Sequence, residues 1–145
     1  MLVSEVLRAK GDLVFTAAPT ETIGAVAAML FARRVGAMVV VEGERQVVGI
    51  VAERDIVRVV AETGGAGLSR PVSDCMTREV FYAEPSETVD SLLERMTDRR
   101  VRHWPVCFEG RLIGIVSIGD LVKGKIAATS SEALSESTGG FSSTL

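Results

Sequence analysis

The sequence predicts a mixed α+β fold: two copies of one β-α-β-β-α unit packed about a pseudo-twofold axis. Three observations point there. The chain has 145 residues, 47% of them apolar and 24% charged, enough to bury a core without disulfide or metal staples. Its first half recurs in its second. Each half then alternates short apolar runs with stretches of helical period.

The recurrence is close. Pro19-Thr20-Glu21-Thr22-Ile23 returns as Pro85-Ser86-Glu87-Thr88-Val89, and Val14-Phe15 returns as Val80-Phe81. Gly49-Ile50-Val51-Ala52-Glu53-Arg54-Asp55 returns as Gly114-Ile115-Val116-Ser117-Ile118-Gly119-Asp120, one position earlier in register. The first copy therefore carries one extra residue, most simply in the turn Gly43-Glu44-Arg45. A long period seen twice reads as a duplicated small domain, not a solenoid. The implied divisions are residues 1–65, 66–128 and a Ser/Thr/Gly-rich tail at 129–145, expected to be loosely ordered.

Element by element, Val3 to Ala9 forms a short leading helix. Leu13 to Thr16 and Val80 to Tyr82 read as short strands. Thr20 or Thr22 caps a helix running to Arg34, with Ile23, Val26, Ala27 and Leu30 at helical spacing. Ser86, with Val89, Leu92, Leu93 and Met96, repeats that pattern through Arg99. Hairpins follow: Ala37–Val41 with Gln46–Val51, then Trp104–Phe108 with Arg111–Val116, joined at Gly-containing turns. Val39, Val40 and Val41 lie in a continuous apolar run, as in a strand buried on both faces. Second helices span Glu53 to about Thr63 and Ile118 to about Ala128, where Gly124 and the Ser-rich stretch are expected to break any continuation. Gly64-Gly65-Ala66-Gly67 reads as a flexible linker between the copies.

Composition excludes several function classes. A net charge of −3 argues against a nucleic-acid partner. Cys75 and Cys107 have no metal-ligand spacing, and a single histidine leaves a zinc site short of ligands. No run is long enough to span a bilayer, and the N-terminus lacks a signal-peptide pattern, so a cytoplasmic protein without membrane partners is expected. No nucleophile-base constellation, P-loop or dinucleotide fingerprint occurs, so no enzyme activity is expected.

With the repeat in place, the motifs resemble a known family. The G-h-h-x-x-x-D segments ending at Asp55 and Asp120 are similar to the G-h-h-[ST]-x-x-D signature of CBS domains. Asp74-Cys75-Met76-Thr77 and Arg102-His103-Trp104-Pro105-Val106 are similar to the "D-x-M-T" and "R-H-L-P-V" segments of such repeats. The resemblance covers residues 1–125 and is strongest to bacterial stand-alone CBS-pair proteins. It implies two tandem CBS domains packed through their sheets (a Bateman module), often dimeric, binding adenosine-containing ligands between repeats. Inosine monophosphate dehydrogenase also contains a CBS pair, but 145 residues leave no room for its barrel.

The residue types can be read independently of the resemblance. Ser117 lies at a strand-to-helix junction, where free N–H groups favour phosphate, and Asp120 follows one turn later on the same side. A carboxylate can accept both vicinal hydroxyls of a ribose, so this pair is either a ribose-phosphate grip or a local helix cap. In the first copy Ala52 replaces the hydroxyl while Asp55 is kept. One lost neutral hydrogen bond costs about 0.5–1.5 kcal/mol, roughly tenfold in affinity at most. Arg54 either meets phosphate or points to solvent.

Arg102 and His103 begin a strand whose family counterpart borders the ligand cleft, and they are expected to contact phosphate or the opposite repeat. Arg99 and Arg100 suit a helix C-terminus. Lys10 is a further candidate phosphate contact. The family pattern draws apolar walls for adenine from Thr16, Tyr82, Met38, Val39, Trp104 and Pro105, with Trp104 either stacking on a base or packing in a core or dimer interface. The expected function is a regulatory adenine-nucleotide sensor with no required cofactor. It would take AMP, ADP, ATP or NAD as ligand, form a homodimer and act on a regulated protein partner. The alternatives are a ligand-free structural dimerisation module and a redox sensor using Cys75 and Cys107.

Overall fold

A computed structural model describes residues 1–11 and 14–136. The leading helix α1 (Val3–Lys10) precedes a first repeat of β1 (Thr16–Ala17), α2 (Ile23–Arg33), β2 (Ala37–Glu42), β3 (Gln46–Ala52) and α3 (Glu53–Thr63). The second repeat comprises α4 (Val89–Arg99), β4 (His103–Phe108), β5 (Arg111–Ser117) and α5 (Ile118–Glu136). The mixed α+β class and the twofold repetition are as the sequence predicts.

Matching residues do matching work. The Thr22 and Thr88 hydroxyls accept the Ala25 and Ser91 N–H groups at 3.1 and 3.2 Å, capping α2 and α4. The cap of α4 is thus Thr88, and Ser86 lies outside the helix. Ile23, Val26 and Leu30 are buried along α2, as are Val89, Leu92 and Met96 along α4. Each hairpin is antiparallel with a bulge, at Val40/Val41 and at Val106/Cys107. Their turns differ by one residue. Glu109 and Gly110 form a two-residue turn with φ of 52° and 78°, whereas Gly43-Glu44-Arg45 spans three, placing the extra residue of the first copy there.

Three expectations need correction. Val80 to Tyr82 is not a strand; only Ala83 bridges to Val106. In the first repeat Thr16 and Ala17 both pair with β2, opposite Val39 and Val40. The residue matching Val39 is Pro105, which has no N–H to continue the ladder toward Phe81. The glycine linker is ordered as a 3₁₀ helix, Gly64–Ser69, with Gly67 buried against Val59 and Thr63. Finally, α5 continues to Glu136. Gly124 does not end it. A side chain there would press on Val6 and Met1, so the glycine instead lets α1 pack close. Leu13 and residues 137–145, the rest of the predicted tail, lie outside the described residues.

The repeats exchange their leading segments. Val3 and Val6 of α1 are buried with Leu92, Met96 and Leu121 of the second repeat, and the Val3 N–H donates to the Glu87 carbonyl at 2.9 Å. Conversely, Val72, Cys75 and Met76 complete the core of the first repeat, with the Val72 N–H donating to the Glu21 carbonyl at 2.7 Å. The two sheets meet across Val39, Cys107 and Leu112, flanked by Val41, Val47 and Ile115. Faces of β2 therefore serve two cores: Met38 and Val40 turn into the first repeat, Val39 toward the second.

Gly49 shows how closely the exchanged segment lies. A Cβ there would sit 2.5 Å from Met76 Sδ and 3.1 Å from the Thr77 carbonyl oxygen. Gly49→Ala is expected to lower stability by about 1–3 kcal/mol through overpacking. Denaturant unfolding that matched the wild type would show that Met76–Thr77 is not held against β3.

Candidate ligand-binding cleft

The starts of β2 and β4 approach each other near the pseudo-twofold axis. They meet at Gly36, where a Cβ would lie 3.1 Å from the His103 ring. Gly36 and Ala37 occupy the positions of Arg102 and His103 in the other copy, so the small residues of one repeat make room for the large ones of the other. Beside this contact opens a cleft of about 660 Å³, a size suited to a small-molecule ligand.

Ala52, Glu53, Arg54 and Asp55 at the start of α3 form one wall, with Thr77 and Glu79 from the exchanged segment. Arg99, Arg100, Arg102 and His103 form the other, and Ile50, Val80, Phe81 and Pro105 supply apolar surface. The cleft is thus lined by carboxylates (Glu53, Asp55, Glu79) and by guanidinium groups (Arg54, Arg99, Arg100, Arg102). Asp55 is 8% exposed; its Oδ2 accepts the Ala52 N–H at 2.9 Å and its Oδ1 lies 3.3 Å from Arg58. Arg100 ends α4 with φ of 56°, a left-handed conformation that also ends α2 at Arg34. Arg99 lies over the Phe81 ring at 4.3 Å, as Arg33 lies over Phe15 at 4.4 Å.

The candidate residues divide among several places. Arg54, Ala52, Asp55, Arg102, His103 and Pro105 come together in this cleft. Ser117, Asp120 and Lys10 come together elsewhere, at the start of α5. There the Ser117 N–H donates to Asp120 Oδ2 at 2.8 Å and the Asp120 N–H to Ser117 Oγ at 3.0 Å, a reciprocal helix cap. Lys10 Nζ lies 2.8 Å from both Asp120 Oδ2 and the Ile115 carbonyl. Burial raises the Asp120 pKa, but hydrogen bonds from Lys10 and Ser117 outweigh it and leave the carboxyl below its usual range.

Five expected wall residues face elsewhere. Trp104 is 1% exposed, stacked on Phe81 at 5.6 Å with Arg95 on the ring at 5.0 Å, so it packs in the core and presents no face to a base. Met38 and Val39 are buried in the first core and the sheet interface. Tyr82 is exposed in a shallow groove beside Glu87 and Arg95. Thr16 is half-buried in β1 opposite Val39. Arg99, Arg100, Glu79 and Phe81 line the cleft, although motif reasoning does not single them out as ligand contacts. The repeated Phe15/Arg33 and Phe81/Arg99 pairs were the available signal. Both cysteines are buried, and burial pushes both thiols up, with Asp55 adding to the effect at Cys75.

The CBS-domain model matches residues 4–62 and 72–126. The chain belongs to the CBS-domain family. This CBS pair is 44% identical to the CBS-domain protein ATU1752 of Agrobacterium tumefaciens, with a TM-score of 0.81 over 86% of this chain and 99% of that one. It is 30% identical to YhcV of Bacillus subtilis over 74% of this chain and 76% of the relative. It is also 39% identical to the mitochondrial CBSX3 of Arabidopsis thaliana over 61% of its length, but that match spans only 45% of the plant protein. A match to the inosine-5'-monophosphate dehydrogenase of Methanocaldococcus jannaschii covers 21% of that enzyme. The CBS domain pair of protein MJ0100, solved with 5'-methylthioadenosine and S-adenosyl-L-methionine, is 25% identical with a TM-score of 0.77, over 86% of this chain and 99% of that one. Among the described residues, no helix is long and apolar enough to cross a membrane.

His103 tests the electrostatics of this CBS pair. Burial, then Lys10, lower its pKa below 6.5, with Arg102 acting the same way and Asp120 and Glu53 opposing. The unfolded chain therefore takes up a proton first as pH falls, and folded stability declines from about pH 6.5 down to the folded pKa. Chemical denaturation between pH 7.5 and 5.5 should show a larger loss for the wild type than for His103→Gln, given the reference histidine pKa of about 6.5. Equal slopes would contradict the burial of a neutral imidazole.

Proposed function

We propose that this CBS pair is a cytoplasmic regulatory module that binds an adenosine nucleotide in the cleft between its repeats and acts as a homodimer. The observation that carries this reading is the cluster Arg54, Arg99, Arg100 and Arg102 around one cleft in an otherwise acidic chain. Guanidinium groups pair with phosphate oxygens through charge-assisted hydrogen bonds. Asp55, beside Arg54 at the start of α3, suits ribose hydroxyls, and Ile50, Val80 and Pro105 offer an apolar surface to the base. A phosphorylated ligand such as AMP, ATP or NAD fits this charge pattern better than a cationic sulfonium. MJ0100, solved with two adenosine compounds, supports the adenosine part of the reading. Regulation then requires the ligand to bind two arrangements of the repeats unequally.

A specific observation favours the dimer. Val57 on α3 and Val122 on α5, which correspond across the repeat, are 65% and 42% exposed. Apolar side chains repeated on two outward helix faces suit burial against a second copy.

Calorimetry with AMP, ATP, NAD and S-adenosylmethionine tests the ligand. The phosphorylated compounds should bind, and Arg102→Ala should weaken them by about 10- to 150-fold, the equivalent of one charge-assisted hydrogen bond. No response to any of them would leave the ligand-free dimerisation module as the better reading. For assembly, Val122→Asp should shift the molecular mass measured by light scattering from dimer to monomer; a monomeric wild type would overturn the dimer.

A further inference from the structure

The arginine-lined cleft does not end at Phe81. Val80 and Phe81 also line a second hollow of about 390 Å³, which continues past Tyr82 and Glu84 to Glu87 and Arg95. The two hollows share their walls. One wall is the 79–84 segment, which stays out of the sheet ahead of Ala83 because Pro105 offers no N–H. The other is α4, where Arg99 at the cleft and Arg95 at the second hollow stand four residues apart, one turn along a single helix face. The stacked Phe81 and Trp104 rings lie under this face, Phe81 against Arg99 and Trp104 against Arg95.

The two ends differ in charge. Among the described residues Arg99 and Arg100 form no ion pair, whereas Arg95 is already engaged. Its Nη1 donates to both Glu87 carboxylate oxygens at 2.7 and 2.9 Å, and its Nη2 donates to the Tyr82 carbonyl at 3.3 Å. Glu84 has no cationic partner among the described residues, and Tyr82 is 55% exposed. A free carboxylate beside an open aromatic ring suits a flat cation and repels a further phosphate. The matching positions of the first repeat are Thr16, Ala18 and Met29, so this combination of ring, carboxylate and guanidinium occurs only in the second.

Resting on the nucleotide reading above and narrowing it, we infer that cleft and hollow form one trough for a dinucleotide. Its adenosine and bridging diphosphate lie in the cleft, and its second nucleoside, carrying a positively charged pyridinium ring, lies against Tyr82 beside Glu84. A triphosphate tail running the same way would instead meet Glu84 and Glu87.

Calorimetry on the full chain with NAD, NADH, ADP-ribose and AMP tests this. ADP-ribose shares the adenosine and both phosphates of NAD but lacks the second base. NAD should bind about fivefold or more tighter than ADP-ribose, the lower end of what stacking one base on an aromatic side chain supplies. Tyr82→Ala should bring that ratio close to one, and Tyr82→Phe should keep it. NADH, whose ring is uncharged, should bind about two- to fivefold more weakly than NAD, and Glu84→Gln should remove the difference. Equal binding of NAD and ADP-ribose, or a ratio that survives Tyr82→Ala, overturns the second subsite while leaving the nucleotide reading intact. NADH binding as tightly as NAD overturns its assignment to a cationic ring. No binding of any of the four compounds overturns the nucleotide reading together with the subsite.

Discussion

Neither repeat closes its own core. The first needs Val72 from beyond the 3₁₀ segment, and the second needs Val3 from the leading helix; both side chains are fully buried. Half-domains of about sixty residues bury too small a fraction of their surface to be comfortable alone. The exchange makes the two halves one folding unit, since losing either leading segment exposes the apolar residues it covers.

That constraint also creates the functional geometry. Exchanged segments must cross from one repeat to the other, and they do so beside the strand that ends in each G-h-h-x-x-x-D motif. Thr77 pairs with Ile50 there, and Lys10 reaches Ile115. The ligand-facing positions are therefore supplied by residues distant in sequence, and the twofold repetition can differ in charge without differing in backbone. The first repeat pairs its carboxylate with Arg58 of the same helix beside an arginine-lined cleft, whereas the second pairs its carboxylate with Lys10 of the leading helix.

Much of this was legible in the sequence. Helices α2 and α4 begin at threonines and follow their apolar spacing, and the hairpins turn at Gly43 and Gly110, because these are local preferences. The missing strand at Val80 was not legible from that segment alone. Its cause lies in Pro105, a donor lost on the partner strand. Asp55, Arg54, Arg102 and His103 could be nominated from motifs, but their convergence depends on the repeats packing across Gly36. The Lys10–Asp120 pair joins residues 110 positions apart, beyond the reach of local pattern. Trp104 was ambiguous for a related reason: whether an aromatic in a strand faces a cleft or a core depends on which side its neighbours cover.

Trp104 is the chain's only tryptophan. Its indole stacks on Phe81, and Phe81 itself lines the arginine-rich cleft under Arg99. The ring is shielded from solvent and, among the described residues, its Nε1 has no hydrogen-bond partner. Tryptophan fluorescence therefore arises from one site, one aromatic ring away from the cavity. A molecule that moves Arg99 or Phe81 changes the surroundings of that single emitter, giving the protein an optical reporter of its own cleft without any added label.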